Sequence, residues 1–209
     1  MRRSTKFTFS ALIVGASLAF APVSDPVRAQ ENSVTADMIL NDPGAPVAGN
    51  PRGDVTIVAF LDYNCPFCKQ SAPALEKLVK ADGNIRLVYK DWPILTPASF
   101  HGAQLALAAK YQGKYEQVHH ALMGIPGRKI SKEKMTEAVR ESGVDIDRLN
   151  QDLKQHGAEI LELLQRNLAQ ADALGLQGTP VYLIGPFQVA AALGYEEFKQ
   201  VVADARARQ

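Results

Sequence analysis

Cysteine is scarce in this chain, which carries only two among its 209 residues. A small exported domain that depended on disulfide staples would carry several pairs, so a stapled scaffold is excluded. Long apolar runs are scarce too. The stretch from about Phe7 to Ala21 is broken by Thr8, Ser10, Gly15 and Ser17, and no other run approaches the ~18–20 apolar residues of a membrane-spanning helix. Basic runs and aromatic-basic interleaving are also missing, so no nucleic-acid partner is expected. There are no Met-rich or His-rich clusters. The four histidines, His101, His119, His120 and His156, supply no second close-spaced ligand pair of the zinc kind. No metal site is expected, and all four read as surface or partly buried helix residues.

The N-terminus has the order of an export signal. Arg2, Arg3 and Lys6 precede the apolar stretch, and Val27-Arg28-Ala29 offers small residues around a cleavage point. Cleavage between Ala29 and Gln30 is expected, with a periplasmic destination. Ala21 is a poorer site because Pro22 would follow the cut. Thr5 and Lys6 stand where a twin-arginine signal prefers apolar residues, which favours the general secretory route. Removing Arg2, Arg3, Lys6 and Arg28 against one acid, Asp25, takes the formal net charge from +1 to −2. Residues 30–209 suffice for one domain with a proper core.

Residues 30–53 are rich in turn formers, Asn41-Asp42-Pro43-Gly44 and Gly49-Asn50-Pro51, and read as an extended lead-in contributing little core. Val55 to Leu61 is a β-branched apolar run too continuous to alternate, which marks a central strand buried on both faces. Asp62-Tyr63-Asn64 leads from it to Cys65-Pro66-Phe67-Cys68. Ala74, Leu75, Leu78 and Val79 then recur at helical spacing, so the cysteines fall at a strand-to-helix junction. Pro73 predicts a kink in that helix. Ile85 to Tyr89 reads as a second strand, parallel to the first through a right-handed crossover. Residues 97–176 are helical by pattern and form an insert between the parts 54–96 and 177–209. After Gly178-Thr179-Pro180, Val181 to Ile184 and a run around Phe187 to Ala190 suggest a hairpin, and Tyr195 to about Arg206 a closing helix. The order is β-α-β, helical insert, β-β-α.

Joining Cys65 to Cys68 closes so short a loop that chain entropy yields only about 2 kcal/mol before strain, which poorly motivates a structural staple. Redox chemistry suits the spacing better. A helix N-terminus lowers the pKa of a cysteine placed there, and a thiol one turn later can attack a mixed disulfide and release the partner. No cofactor beyond a redox-active Cys65–Cys68 disulfide is called for. Thr179-Pro180 opens a strand, where a cis proline would make a sharp turn and leave the Thr179 backbone free to hold an extended client segment.

Together, Asp62-Tyr63-Asn64-Cys65-Pro66-Phe67-Cys68-Lys69, Trp92-Pro93-Ile94-Leu95 and Gly178-Thr179-Pro180 resemble the DsbA-like family, in particular its Com1-like branch, and the likeness runs from about Leu40 to Val202. The resemblance implies an α/β thioredoxin-like fold, a central mixed sheet with an inserted helical domain. It further implies Cys65 as nucleophile, Cys68 as resolver, Pro180 as the cis proline and Thr179 beside it as client backbone. Relatives commonly carry a buried glutamate six positions before the nucleophile, where this chain has Ala59. Asp62 and Lys90 are the nearest substitutes by sequence, and both read more simply as solvated charges flanking a strand.

The expected activity is a periplasmic dithiol oxidase acting on exported client proteins with cysteines and reoxidised by a DsbB-like membrane partner. The alternative in the same chemistry is an isomerase or reductase kept reduced by a DsbD-like donor, to which Thr179 is closer. From a different class comes a copper-binding or copper-tolerance protein using two thiolates.

Overall fold

The computed structural model describes residues 34–209; the expected export segment and its cleavage point lie outside them. A five-stranded sheet has the order β1-β3-β2-β4-β5, from Val47–Gly49, Val55–Leu61, Ile85–Asp91, Val181–Ile184 and Phe187–Val189 taken in chain order as β1 to β5. Strands β2 and β3 pair in parallel and the other pairs are antiparallel. This mixed sheet with helices on both faces is the expected thioredoxin-like architecture. Every residue of β2 except Thr56 is buried, as a strand covered on both faces requires.

The alternation of β2 and β3 divides the core. Ile57, Ala59 and Leu61, with Leu87 and Tyr89, point to a front face covered by α2 (Pro66–Asp82) and α7 (Tyr195–Arg206). The same cluster continues into the helical insert, made of α3 (Pro97–Ala109), a 3-10 turn, α4 (Tyr115–Gly124), α5 (Lys132–Glu141) and α6 (Ile146–Ala173) as far as Leu164. Val58, Phe60 and Val88 point to a smaller back cluster with Trp92, Ala171 and Leu176. Pro73 lies inside α2, which runs through it as one helix.

The lead-in departs from expectation. Ala36–Leu40 forms a short helix, α1, and β1 pairs with β3 at the sheet's edge, so Ile39, Ala45 and Ala48 join the core. Backbone carbonyls hold it in place: Arg86 Nη1 donates to Leu40 O at 2.9 Å and Gln170 Nε2 to Met38 O at 2.9 Å. Gly49 ends the strand with φ of 70°, where a Cβ would run into the Ile85 carbonyl.

Candidate redox site at the start of α2

Cys65 is the N-cap of α2. Its backbone is extended, its Sγ accepts the Cys68 N–H at 3.3 Å, and Pro66 occupies the first turn, where a missing N–H costs nothing. The chain thus uses a sulfur where helices ordinarily place a Ser or Asp oxygen. Both cysteines are free thiols, and Cys65 Sγ donates to the Thr179 carbonyl at 3.1 Å across the cis Thr179–Pro180 bond. The structure therefore brings Cys65, Cys68, Thr179 and Pro180 to one point.

The two thiols titrate in opposite directions. A hydrogen bond from Cys68 lowers the Cys65 pKa most; burial opposes it, and the Thr179 side chain and the Cys68 and Phe67 N–H groups add to the lowering, leaving it at about 6. The Thr179 hydroxyl is buried without a partner among the described residues in this dithiol form and is a donor in waiting for a thiolate. Burial, then the hydrogen bond to and charge of Cys65, push the Cys68 thiol far up. One sulfur is poised as an anion and its neighbour as a proton-bearing thiol.

Access to Cys65 is narrow, since only 2% of the residue is exposed. Two surface cavities lie beside it among the described residues. One is lined by Phe67, itself 57% exposed, with Gly178, Thr179 and Pro180, and the other begins at Pro66.

The loop before Cys65 is clamped from three directions. Asp62 accepts the N–H of Asn64 at 2.7 Å and of Leu95 at 2.9 Å. Asn64 accepts the N–H of Ile130, returns an N–H to the Ile130 carbonyl at 3.3 Å, and donates to Thr96 Oγ1 at 2.8 Å. Tyr63 Oη lies 3.0 Å from His119 Nδ1. Asp62 is therefore buried, not solvated, because it satisfies two backbone donors. His119 is a core residue, not a surface one; burial and then His120 hold its pKa down at about 3, so it stays neutral. Lys90 is buried as well, on the back face, where it meets the Asp42 carboxylate at 3.7 Å instead of the cysteines. These anchors were missed in sequence; the signal available was the Asp-x-Asn spacing, whose side chains commonly bind backbone two residues on.

Where relatives carry a glutamate, Ala59 pairs with Tyr182 of β4, and the Tyr182 hydroxyl lies 2.6 Å from Ser71 Oγ, one turn of α2 beyond Cys68. A second front-face group, Asp91, accepts from Tyr115 Oη at 3.0 Å. Burial raises its pKa to about 7 against the hydroxyls of Tyr63 and Tyr115.

Comparison with known proteins agrees with this geometry. Residues 41–204 match the family model described as thioredoxin, Thioredoxin_4. A thioredoxin-like oxidoreductase from Silicibacter pomeroyi DSS-3 is 40% identical with a TM-score of 0.77, over 83% of this chain and 99% of that one. The thiol-disulfide exchange protein alpha-DsbA2 from Wolbachia pipientis is 30% identical with a TM-score of 0.75, over 80% and 90%. A periplasmic thioredoxin-like protein from Salmonella enterica serovar Typhimurium is 27% identical with a TM-score of 0.71, over 82% and 95%. Curated relatives named Na(+)/H(+) antiporter NhaA, such as that of Mycolicibacterium gilvum at 27% identity, match over 70% of this chain, which spans about a quarter of their length. Among the described residues, no helix is long and apolar enough to cross a membrane. By its sheet, its Cys65-to-Cys68 turn at a helix start and its cis Thr179–Pro180, the chain belongs to the thioredoxin family, among the DsbA-like thiol-disulfide oxidoreductases.

Proposed function

We propose that the protein is a periplasmic dithiol oxidase that passes the Cys65–Cys68 disulfide to cysteine pairs of exported proteins. The observation that carries this reading is the Cys65 pKa of about 6 at the N-cap of α2, opposite Thr179. Thiolate stabilisation favours the reduced protein and makes its disulfide a stronger oxidant, by about 1.4 kcal/mol for each pKa unit.

In the reaction a client thiolate attacks Cys65 Sγ and the Cys65–Cys68 bond breaks. Cys68 departs and takes up a proton, as its raised pKa favours. A second client thiolate then attacks the client sulfur of the mixed disulfide. The client disulfide forms and Cys65 leaves as a stabilised thiolate. Thr179 offers backbone for the client segment, with Pro66 and Phe67 at the rim. A DsbB-like membrane oxidase accepts the two electrons and restores the disulfide. Export through the N-terminal segment places the protein with its clients, and the periplasmic relative supports that location.

Two measurements test this. Thiolate absorbance of the reduced protein should titrate with a midpoint near 6, and a midpoint near the ~8.5 of free cysteine would remove the oxidase. The reduction potential should lie near the ~−120 mV of strong oxidants. A value near ~−270 mV selects instead the second reading, a reductase or isomerase fed by a DsbD-like donor, which the threonine at 179 favours. Cys68→Ser should accumulate mixed disulfides on Cys65; their absence would strip Cys68 of the resolving role.

A further inference from the structure

The second cavity at the redox site, of about 480 Å³, shares no lining residue with the one beside Thr179 and Pro180. It runs along α2 from Pro66 past Lys69 and Pro73 to Glu76. At ~1.5 Å per helical residue this is a groove of about 15 Å, room for roughly four residues of extended chain. Its opposite wall is the end of α4 and the loop that follows. Helices α2 and α4 run antiparallel there, because His120 Nε2 lies 3.6 Å from the Glu76 carboxylate while Lys69 Nζ donates to Ile125 O at 2.7 Å. The loop residue Arg128 therefore belongs to the Pro66 end.

That order gives the groove a polarity. Next to the redox pair stand two cations: Lys69, with two N–H groups left after its bond to Ile125, and Arg128, exposed and without an ion pair among the described residues. Ala72, Pro73, Met123 and Ile125 form an apolar middle. At the far end Glu76 is already engaged by His120.

We infer that this groove is a client subsite. It takes the flank of the client cysteine that Thr179 does not hold, and prefers a carboxylate within two residues of that cysteine followed by a large apolar side chain. The inference rests on the thiol-disulfide exchange reading and adds to it a rule for which clients are taken. Charge complementarity with Lys69 and Arg128 names the acid, and the apolar middle names its neighbour.

The test uses the reduced protein and peptides whose one cysteine carries nitrothiobenzoate in a mixed disulfide. The Cys65 thiolate attacks the peptide sulfur and coloured nitrothiobenzoate leaves as its thiolate; Cys68 then displaces the peptide thiol, and the Cys65–Cys68 disulfide forms. Peptides carry Asp-Leu, Lys-Leu or Ser-Ser on one flank of the cysteine or the other. On one flank only, the second-order rate constant for nitrothiobenzoate release should be about three- to fivefold higher for Asp-Leu than for Lys-Leu, with Ser-Ser between, and the ratio should shrink in high salt. Arg128→Glu should invert the Asp-Leu to Lys-Leu ratio. A ratio of one in the unaltered protein, or a ratio that Arg128→Glu leaves alone, overturns the inference. So does dimerisation through this face that excludes peptide. Normal exchange with equal rates for all peptides sinks the groove and leaves the exchange reading standing, whereas no exchange with any peptide sinks both.

Discussion

Lys90 and Asp91 are neighbours on β3, both buried, and they face opposite sides of the sheet under opposite regimes. On the back face Lys90 shares Asp42 with Arg166, whose Nε and Nη2 reach the carboxylate at 3.2 Å each. Full charges are matched there by full charges. On the front face Asp91 is hydrogen-bonded by the Tyr115 hydroxyl and feels the like charge of Asp62, and the Ser71–Tyr182 pair beside α2 is uncharged. The back face is an ionic fastening for β3 and the lead-in. The front face pairs its buried hydroxyls with one another or with a carboxyl close to titration at ordinary pH, and the thiolate of Cys65 forms there during turnover within reach of Lys69 and Asp62.

The largest effect that could break this contrast is on the back face. Asp42→Ala would leave Lys90, with 0% exposure, as an unmatched buried cation, and should cost about 3–5 kcal/mol in denaturant unfolding. Lys90→Met should be close to neutral, because Arg166 still pairs Asp42 and the methionine fills the same space. Neither variant should move the Cys65 pKa. A displaced thiolate titration in Lys90→Met would show that the two faces are electrically coupled after all.

A smaller effect separates the faces by pH. Asp91 has a folded pKa of about 7 against 3.8, so between those values the folded state holds a proton the unfolded state has lost, and stability falls as pH rises from about 4 to about 7. Its full cost is on the order of 4 kcal/mol at most. Lys90 is lowered by burial, against the pull of Asp42, to about 8 from 10.5. There the unfolded state holds the extra proton, and stability rises with pH from about 8 to about 10.5. Asp91→Asn should flatten the first slope and spare the second, as read by Tm across pH. A slope below pH 7 that survives in Asp91→Asn would assign it to another group.

What was readable in the sequence follows the same division between pattern and partner. The β2 run, the Cys65–Cys68 turn, the 181–184 strand and α7 each rest on a local pattern strong enough to survive folding. The lead-in did not read correctly because β1 has three residues and α1 five, too few for a period to emerge, and their anchors are backbone carbonyls that no side-chain pattern reports. Asp62, Lys90 and His119 failed for a different reason. A charged or imidazole side chain beside a strand or on a helix reads as solvated until a distant residue supplies its partner, here Leu95, Asp42 and Tyr63.

The smallest expected effect lies closest to the chemistry. Ser71 Oγ–H already has an acceptor in the Phe67 carbonyl at 3.0 Å, so the proton between Ser71 and Tyr182 belongs to Tyr182. Tyr182→Phe therefore deletes one donor, strands no buried group on Ser71, and should cost only about 1 kcal/mol. Charge on Cys68 and Cys65 adds to burial in raising the Tyr182 pKa, which places this hydroxyl within electrostatic reach of both sulfurs. With Ala59 in place of a carboxylate, Tyr182 is a front-face donor, besides the Thr179 hydroxyl, that can turn from Ser71 to a forming Cys68 thiolate. Capture of a client disulfide by Cys65 should keep its rate in Tyr182→Phe, while release of the mixed disulfide by Cys68 slows several-fold, the difference one hydrogen bond to a charged group makes. Rapid-quench separation of the two steps decides it: equal slowing of both would make Tyr182 a packing residue, and the front face no more prepared for chemistry than the back.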